Sequence, residues 1–341
     1  MITIKEEDKK LRNWTFIDLF SGIGGFHYAL KSFGAKCVLA SEIDKKAAKQ
    51  YLINHEILPE GDIIDLKTKD IPEYDILCAG FPCQPFSVSG KQKGFSDPRG
   101  TLFFEIIRII EDTRPKVILL ENVKNILTHN NGQTLKTILF ELERNNYTVH
   151  YETLNSSNFG LPQNRERVYF VAFNKEYYEN PNFEFPRLNI ESSLKDFLED
   201  DPENPKYIER EDIYFTPDFS KKLMSHGVNR PIQIGKVSRG RQGERIYHIS
   251  GHAITLSAYG GGIGAKTGIY LVDNKLRKLT ARECARIQGF PEDYILPESL
   301  TDAHRQFGNS VSVNTIQHII VEIVTSIFIN ERTSATRIQY C

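Results

Sequence analysis

Residues 15–145 alternate short apolar runs with helical patterns, and this alternation constrains the fold more than any other feature. Each run has the length of a buried strand, and the segment after it carries apolar residues at helical spacing. Helices between consecutive strands bring those strands into one parallel sheet. The pattern therefore predicts an α/β fold with a doubly wound, mostly parallel sheet. The strand segments are TFIDLF (15–20), KCVLASE (36–42), YDILCAG (74–80) and KVILLENV (116–123).

The pattern changes further along the chain. YTVHYETL (147–154) and RVYFVAFN (167–174) are not separated by a helical pattern, which predicts an antiparallel pair at one edge of the sheet. Residues 179–212 are rich in Asn, Pro, Asp and Glu, as loops are. Glycines and short strand-like runs over 225–275 predict a second, smaller, irregular β-rich domain. We expect a first domain over 1–190 completed by a C-terminal helix within 306–341, a second domain over 191–282, and a hinge segment over 283–305.

Composition narrows the class of protein. The chain has 341 residues and a formal net charge of −1, so no global positive field indicates a polyanionic partner. Basic residues do cluster between 221 and 245, either as a solvated surface or as one that faces phosphates. The five cysteines form no CxxC pair, which argues against a zinc site or a disulfide framework. No run approaches ~18 apolar residues and no signal region is recognisable, so we expect a cytoplasmic protein without a membrane segment.

Ligands of open parallel sheets bind beyond the carboxyl ends of the strands, so those residues are the first site candidates. The glycine loop FSGIGG (20–25) follows the first strand, Glu42 ends the second, and Asp62 comes after the next turn. The loop is either a ligand loop or a simple strand-to-helix turn, and it does not match the dinucleotide pattern G-x-G-x-x-G. Glu42 suits ribose hydroxyls and Asp62 an adenine amine, so the set fits an adenosine without pyrophosphate, such as S-adenosylmethionine.

Cys83 stands between two prolines directly after a strand, in AGFPCQPFSVSG (79–90). Such a cysteine is a nucleophile, a metal ligand or a buried filler. A nucleophilic thiolate needs an electropositive environment, which Arg165 and Arg167 could supply. Glu121 ends the strand KVILLENV and is either an acid partner of the cysteine or a structural acid.

These segments carry a family resemblance. DLFSGIGGF, GFPCQPFS, ENV, QNRERVYFVAF, RKLTARECARIQGFP and QFGNSVSV occur in the order found in the DNA cytosine-5 methyltransferases, over about residues 15–325. The resemblance implies a Rossmann-like S-adenosylmethionine-dependent methyltransferase fold, with the second domain recognising the target. GRQGERIY and AITLSAYGGG, within 240–262, also resemble the bacterial restriction–modification enzymes that methylate GCGC.

The resemblance implies roles for the catalytic residues. Cys83 would attack cytosine C6, and Glu121 would hold a proton at N3 and bond the exocyclic amine. Arg165 would bond the O2 edge and, with Arg167, position the base and Glu121. No metal is needed. The family's S-adenosylmethionine pocket maps onto Phe20, Gly22, Ile23, Gly25, Glu42, Ile43, Asp62 and Asn309.

The target carbon cannot be reached inside a duplex, so the cytosine must be flipped out. The segment 87–100 carries glycines and cationic residues and would close on DNA as a lid. By resemblance, Ser89 approaches from the minor groove and Gln242 fills the hole that the cytosine leaves. Glu244 and Arg245 would read a cytosine amine and a guanine. Thr255 and Tyr259 would shape the neighbouring contacts.

The expected partner is double-stranded DNA, together with a cognate restriction endonuclease that shares the site without forming a stable complex. We expect a monomer. Two other functions fit the same motifs: an RNA methyltransferase of this fold, and a DNA-binding regulator with an inactive site. The glycine-rich second domain argues against the first, and intact Cys83, Glu121 and Arg165 argue against the second. A dehydrogenase is disfavoured by the glycine spacing.

Overall fold

The computed structural model describes residues 4–6, 9–82, 102–219, 223, 229–257 and 267–328. Among these residues the strands are β1 Thr15–Leu19, β2 Lys36–Ser41, β3 Ile76–Gly80, β4 Val117–Val123, β5 Tyr147–Asn155, β6 Gln163–Asn164, β7 Glu166–Asn174, β8 Ile213–Phe215, β9 Ile232–Val237, β10 Arg245–His248, β11 Ala253–Ile254, β12 Ile269–Val272 and β13 Lys275–Arg277. The α-helices are α1 Gly25–Ser32, α2 Lys45–His55, α3 Leu102–Thr113, α4 Gln133–Arg144, α5 Ala281–Ile287, α6 Leu300–Asn309 and α7 Val313–Phe328.

The described chain divides into two units by its internal contacts. The sheet unit comprises residues 2–154, 166–186 and 316–341, and the inserted unit comprises 155–165 and 187–315. The predicted domain bounds, 1–190 with 306–341, 191–282 and 283–305, stay a prediction.

A six-stranded sheet in the order β2-β1-β3-β4-β7-β5 organises the sheet unit. The pairs β1·β2, β1·β3 and β3·β4 are parallel, and β4·β7 is antiparallel. This arrangement confirms the mostly parallel α/β sheet predicted from the alternation of strands and helices. The order reverses direction at β1, because the chain adds β2 on one side of β1 and β3 on the other. That reversal is the switch point where open sheets bind ligands.

The sheet forms because its strands are apolar on both faces. Residues 117–120 of β4 are all inaccessible to solvent, as a central strand covered by helices must be. The helix α3 buries five apolar side chains at helical spacing. Burying one such side chain stabilises the fold by about 1.5–3 kcal/mol. The core holds β3 and β4, and therefore the residues at their ends, in fixed positions.

The helix α7, which comes late in the chain, packs against early segments of the sheet unit. Gln317 donates from Nε2 to Ser32 Oγ at 3.0 Å, and the rings of Trp14 and Phe328 lie 5.8 Å apart. The stretch Leu300–Phe328 is long and apolar enough to cross a membrane, since an 18-residue window within it has a mean hydropathy of 1.4, yet 78% of that window is buried. Burial of this kind is typical of a core helix.

The inserted unit has its own sheet, in the order β13-β12-β10-β9-β8, and a two-stranded sheet of β11 with β6. A small apolar core beneath the larger sheet includes Ile232, Ile234 and Ile246. Arg277 at the end of β13 makes a bidentate ion pair with Glu283 of α5, with both N–O distances 2.7 Å. Both side chains are buried, so each charge depends on the other. The second, smaller β-rich region predicted from the glycines is confirmed.

Candidate active site

The sheet register brings several predicted residues to one edge. Leu19, the last residue of β1, pairs with Ala79 of β3, and Gly80 pairs with Glu121 of β4. The glycine loop after β1 and the segment after β3 therefore leave the sheet at its carboxyl edge, and Glu121 of β4 lies at the same edge. Glu42 follows β2 at the same edge.

The glycine loop turns through left-handed backbone. Phe20 has a φ of 54°, Gly22 of 54° and Gly24 of 86°. A non-glycine residue in this region is uncommon, and Phe20 marks a strained turn of the kind found at functional sites. A Cβ placed on Gly22 would meet no atom of the described residues within 4 Å, so open space adjoins the backbone there in the part of the chain that the structure describes. Ile23 is buried. Gly25 begins α1.

Neutral aromatic and imidazole groups pack beneath this loop. His55 Nε2 lies 3.4 Å from the Ile23 carbonyl oxygen, and the His55 ring stacks on His27 at 3.9 Å. His27 Nδ1 lies 2.8 Å from the hydroxyl of Tyr51. Burial lowers the pKa of His27 to about 2 and of His55 to about 4. Burial also raises the pKa of Asp18 well above its usual range, so burial disfavours the charged form of each of these groups.

Glu42 joins the end of β2 to the glycine loop. Its carboxylate accepts from the Gly22 N–H and from the Asp44 N–H, both at 2.8 Å. Burial raises its pKa, although these backbone bonds oppose the shift. The Ile43 N–H also bonds this carboxylate. A carboxylate has about four acceptor positions, so the group can still accept from a ligand hydroxyl.

Apolar surface is exposed on either side of Glu42 and Asp62. Ile43 is 68% exposed and Ile64 is 48% exposed. Asp62 caps a short 3-10 turn, with Oδ1 accepting from the Ile64 N–H at 3.1 Å. Exposed isoleucines beside acids that can accept hydrogen bonds fit a ligand with an apolar ring and polar edges, such as an adenosine.

Glu121 is 8% exposed and forms an ion pair with Arg167, whose Nε lies 3.0 Å from Glu121 Oε1. The antiparallel pairing of β4 with β7 places Arg167 opposite Val123, next to the acid. Asn122 donates from Nδ2 to the Phe81 carbonyl at 2.8 Å, which fixes the chain directly before Pro82. The ENV motif thus supplies an acid and a clamp on the segment that leads to Cys83.

The described cysteines are poor nucleophiles. Cys37, Cys78 and Cys284 are all buried. Burial raises the pKa of the Cys37 thiol to about 12, and the pKa values of Cys78 and Cys284 lie well above the usual range for the same reason. A thiolate is the reactive form, so none of these three suits covalent catalysis.

The inserted unit contains Arg165, Asn309 and the predicted DNA-contacting residues other than Ser89. Arg165 is buried, at 2% exposure. Arg165 Nη1 donates to the Gly308 carbonyl at 3.1 Å, and Nη2 donates to the Ser310 carbonyl at 2.7 Å. These carbonyls flank Asn309, the exposed last residue of α6. The guanidinium therefore caps the helix C-terminus, where unpaired carbonyls and the helix dipole favour a cation.

The predicted DNA-contacting residues differ in their local bonds. Thr255 donates its hydroxyl to the Asn164 carbonyl at 2.5 Å. Glu244 accepts from the Arg241 N–H at 2.8 Å, whereas Arg245 is exposed at the start of β10. Cys83, Ser89, Tyr259 and the side chain of Gln242 lie outside the described residues.

Sequence reasoning missed Asn122, His55 and the buried glutamines Gln163 and Gln288. Asn122 stands beside a predicted acid, and that adjacency is a signal that could have found it. Gln163 and Gln288 stand within QNRERVYFVAF and RKLTARECARIQGFP, two of the segments that carry the family resemblance, and that is also a signal. His55 carries no such signal, because its contact with Ile23 is distant in sequence.

Residues 14–325 match the family model for the C-5 cytosine-specific DNA methylases. The chain belongs to this family. It is 48% identical over 329 residues to the type II methyltransferase M.HhaI of Haemophilus parahaemolyticus, covering 96% of this chain and 98% of that one. It is 44% identical over 321 residues to the type II methyltransferase M1.ScrFI of Lactococcus lactis subsp. cremoris, covering 93% and 79%. The crystal structure of the S. pombe Dnmt2 methyltransferase shares the fold, with a TM-score of 0.68 at 23% identity, covering 92% and 98%.

Gly22 and Gly24 provide a matched pair of substitutions. Both need left-handed backbone, so Gly22→Ala and Gly24→Ala share a strain of about 1–2 kcal/mol. The new Cβ at Gly24 would also clash with His55 Nε2, whereas the one at Gly22 would meet no described atom within 4 Å. We expect Gly24→Ala to lower the melting temperature several degrees more than Gly22→Ala. Equal melting temperatures, measured by calorimetry, would show that His55 does not press on the loop.

The raised pKa of Glu42 predicts a pH dependence. Protonation removes acceptor capacity, so affinity for an adenosine ligand should fall as the pH drops from ~8 to ~5. The fall should begin above the ordinary carboxyl pKa, because burial raises that of Glu42. Calorimetric titration with S-adenosylhomocysteine measures it. Glu42→Gln should bind more weakly at pH ~8 and lose this dependence, and a variant that keeps the full dependence would rule out Glu42 as its source.

Proposed function

We propose that this protein transfers a methyl group from S-adenosylmethionine to C5 of cytosine in double-stranded DNA. Family membership supports methylation of DNA cytosine. The observation that carries the chemistry is the ion pair of buried Glu121 with partly buried Arg167. Glu121 pairs with Gly80 at the sheet edge from which the chain runs to Cys83. An acid held in that place suits the protonation of a base while a thiolate adds to it.

In the proposed reaction, the Cys83 thiolate adds to cytosine C6 and forms a C–S bond. Glu121 supplies a proton at N3, so negative charge does not accumulate on the ring, and C5 becomes nucleophilic. C5 would then take the methyl group from the sulfonium that S-adenosylmethionine supplies, breaking its S–C bond and leaving S-adenosylhomocysteine. Loss of the C5 proton to water returns an electron pair to the ring and expels the Cys83 thiolate, and N3 returns its proton to Glu121. Arg167 keeps Glu121 in place, and Arg165 bonds the O2 edge of the base.

The residues of the proposed cofactor site fit S-adenosylmethionine. Open space beside Gly22 allows close approach to the backbone, and Glu42 retains acceptor capacity for ribose hydroxyls. Ile43 would lie on the adenine face, and Asp62 would accept from its amine. The remaining members of the set are Phe20, Ile23, Gly25 and Asn309.

The proposed substrate is a cytosine flipped out of a short palindromic site, GCGC or a longer site that contains it. Flipping is required because a stacked base hides C5 and C6 from the protein. Arg245, exposed on β10, suits a guanine, whose major-groove edge offers two acceptors. Glu244 suits a cytosine amine. Ser89, Gln242, Thr255 and Tyr259 complete the proposed contacts.

The relatives named as type II methyltransferases support a role in a restriction–modification system. We propose that the protein acts as a monomer on cytoplasmic, nucleoid DNA. Its biological partner is then an endonuclease that cuts the same site when the site lacks the methyl group, without a stable complex between the two enzymes.

Cys83→Ser tests the covalent step. We expect the variant to bind DNA and to lose methyl transfer, since a hydroxyl is a far weaker nucleophile than a thiolate. Cys284→Ala is the matched control, because Cys284 is buried and its raised pKa excludes it from catalysis. Transfer of tritiated methyl groups from S-adenosylmethionine measures activity. Turnover of Cys83→Ser near the wild-type rate would remove Cys83 from its proposed role.

DNA that carries 5-fluorocytosine should trap the wild-type adduct, because fluorine cannot leave C5 as a proton does. A band of reduced mobility on a denaturing gel, absent with Cys83→Ser, is the expected result. If no such band forms although the enzyme methylates ordinary DNA, the covalent mechanism is wrong.

Target specificity has a separate test. Plasmid methylated by the purified protein and mapped by bisulfite sequencing should carry 5-methylcytosine within GCGC. Methylation confined to other sites would contradict the proposed target while leaving the proposed chemistry intact.

A further inference from the structure

Two wholly buried glutamines in the inserted unit link segments that are far apart in sequence. Gln163 on β6 and Gln288 after α5 are both inaccessible to solvent. Gln163 Nε2 donates to Gln288 Oε1 at 3.0 Å and lies 3.1 Å from the Ile287 carbonyl oxygen. The pair bridges 125 positions of the chain. Buried amides are costly unless their hydrogen bonds are made, so these partners fix both side chains.

One end of this pair holds the segment after β11 that carries Thr255. Gln163 Oε1 accepts from the Leu256 N–H at 3.0 Å. The backbone pairing of β6 with β11 adds to this bond, since Ala253 is the register partner of Gln163. Thr255 lies directly before Leu256, and its hydroxyl is tied to Asn164, next to Gln163. The position of Thr255 therefore depends on Gln163.

The other end holds the last turn of α6. Gln288 Nε2 donates to the carbonyls of Phe307 and Ser310, on either side of Asn309. Gln288 Oε1 accepts from Gln163 and also from the hydroxyl of Ser312 at 3.1 Å. The amide of Gln288 thus uses all its donors and acceptors. A fully satisfied buried amide has one orientation, and it sets the backbone around Asn309.

Arg165 contacts both of these segments, the one that carries Thr255 and the one at the end of α6. Its Nη1 lies 3.4 Å from the Leu256 carbonyl oxygen and 3.1 Å from that of Gly308. The two glutamines hold the neighbouring N–H and carbonyl groups, so they define the carbonyls that Arg165 meets. The buried pair and the arginine form one polar network among segments that include Thr255 and Asn309.

We propose that Gln163 and Gln288 are positioning residues that set the placement of Thr255 for DNA and of Asn309 for S-adenosylmethionine. This inference rests on the proposed function, which assigns Thr255 to DNA and Asn309 to the cofactor. Neither glutamine needs to touch a ligand. Gln163 acts on both segments, whereas Gln288 acts directly on the α6 turn.

The test compares three leucine substitutions of buried glutamines. Gln163→Leu should raise KM for DNA and for S-adenosylmethionine about tenfold each, because displacements below ~1 Å at a binding residue have effects of this size. Gln288→Leu should raise KM for S-adenosylmethionine by a similar factor. It should raise KM for DNA by less than half of that factor. Gln317→Leu is the matched control, since Gln317 is equally buried and bonds Ser32 in the sheet unit.

Gln317→Leu should lower the melting temperature like the other variants and leave both KM values within about twofold of wild type. Equal KM increases in all three variants, or wild-type KM values in Gln163→Leu and Gln288→Leu, would overturn the inference. If Gln163→Leu does not fold, Gln288→Leu tests the inference alone. Its KM for S-adenosylmethionine should then rise more than its KM for DNA.

Direct binding separates this inference from the proposed function. Affinities for S-adenosylhomocysteine by calorimetry and for GCGC duplex DNA by filter binding need no turnover. If the wild type binds both ligands but transfers no methyl group, the proposed function is wrong while the affinities of the variants still test the positioning. Unchanged affinities in Gln163→Leu would refute the positioning even in a fully active enzyme.

Discussion

Parallel strands β1, β3 and β4 end at the same edge of the sheet because their residues pair in register. This pairing depends on the burial of apolar side chains on both faces of β3 and β4. It fixes the positions of Glu121, of the glycine loop after β1 and of the segment that leads from β3 to Cys83. A slip of one residue would turn every side chain of a strand to the opposite face, so the core also sets which side chains project at the edge.

Two acids at this edge differ in their surroundings. Glu42 accepts from two backbone N–H groups, and burial raises its pKa. Glu121 instead faces the guanidinium of Arg167. Divided environments of this kind let two carboxyl groups take different tasks at one pH. In the proposed function, one binds the cofactor as an acceptor and the other handles a proton of the base.

The alternation of apolar runs and helices was enough to predict the parallel sheet, because that pattern repeats within short segments. The residues at the strand ends followed from the geometry of parallel sheets, which brought Glu42 and Glu121 to one edge. The left-handed backbone of Phe20 could not be predicted, since it depends on the whole loop. The bonds of Gln163 to Leu256 and Gln288 could not be predicted either, because nothing local selects partners 93 and 125 positions away.

The sheet unit is assembled from both ends of the described chain. Ser32 in α1 meets Gln317 in α7 across 285 positions. A ribosome that adds ~5–20 residues per second takes from about 14 seconds to about a minute to synthesise the stretch between them. Over that time the surface that α7 will cover stays open on the nascent chain. Completion of this unit is therefore a late event in synthesis, after the inserted unit has emerged almost whole.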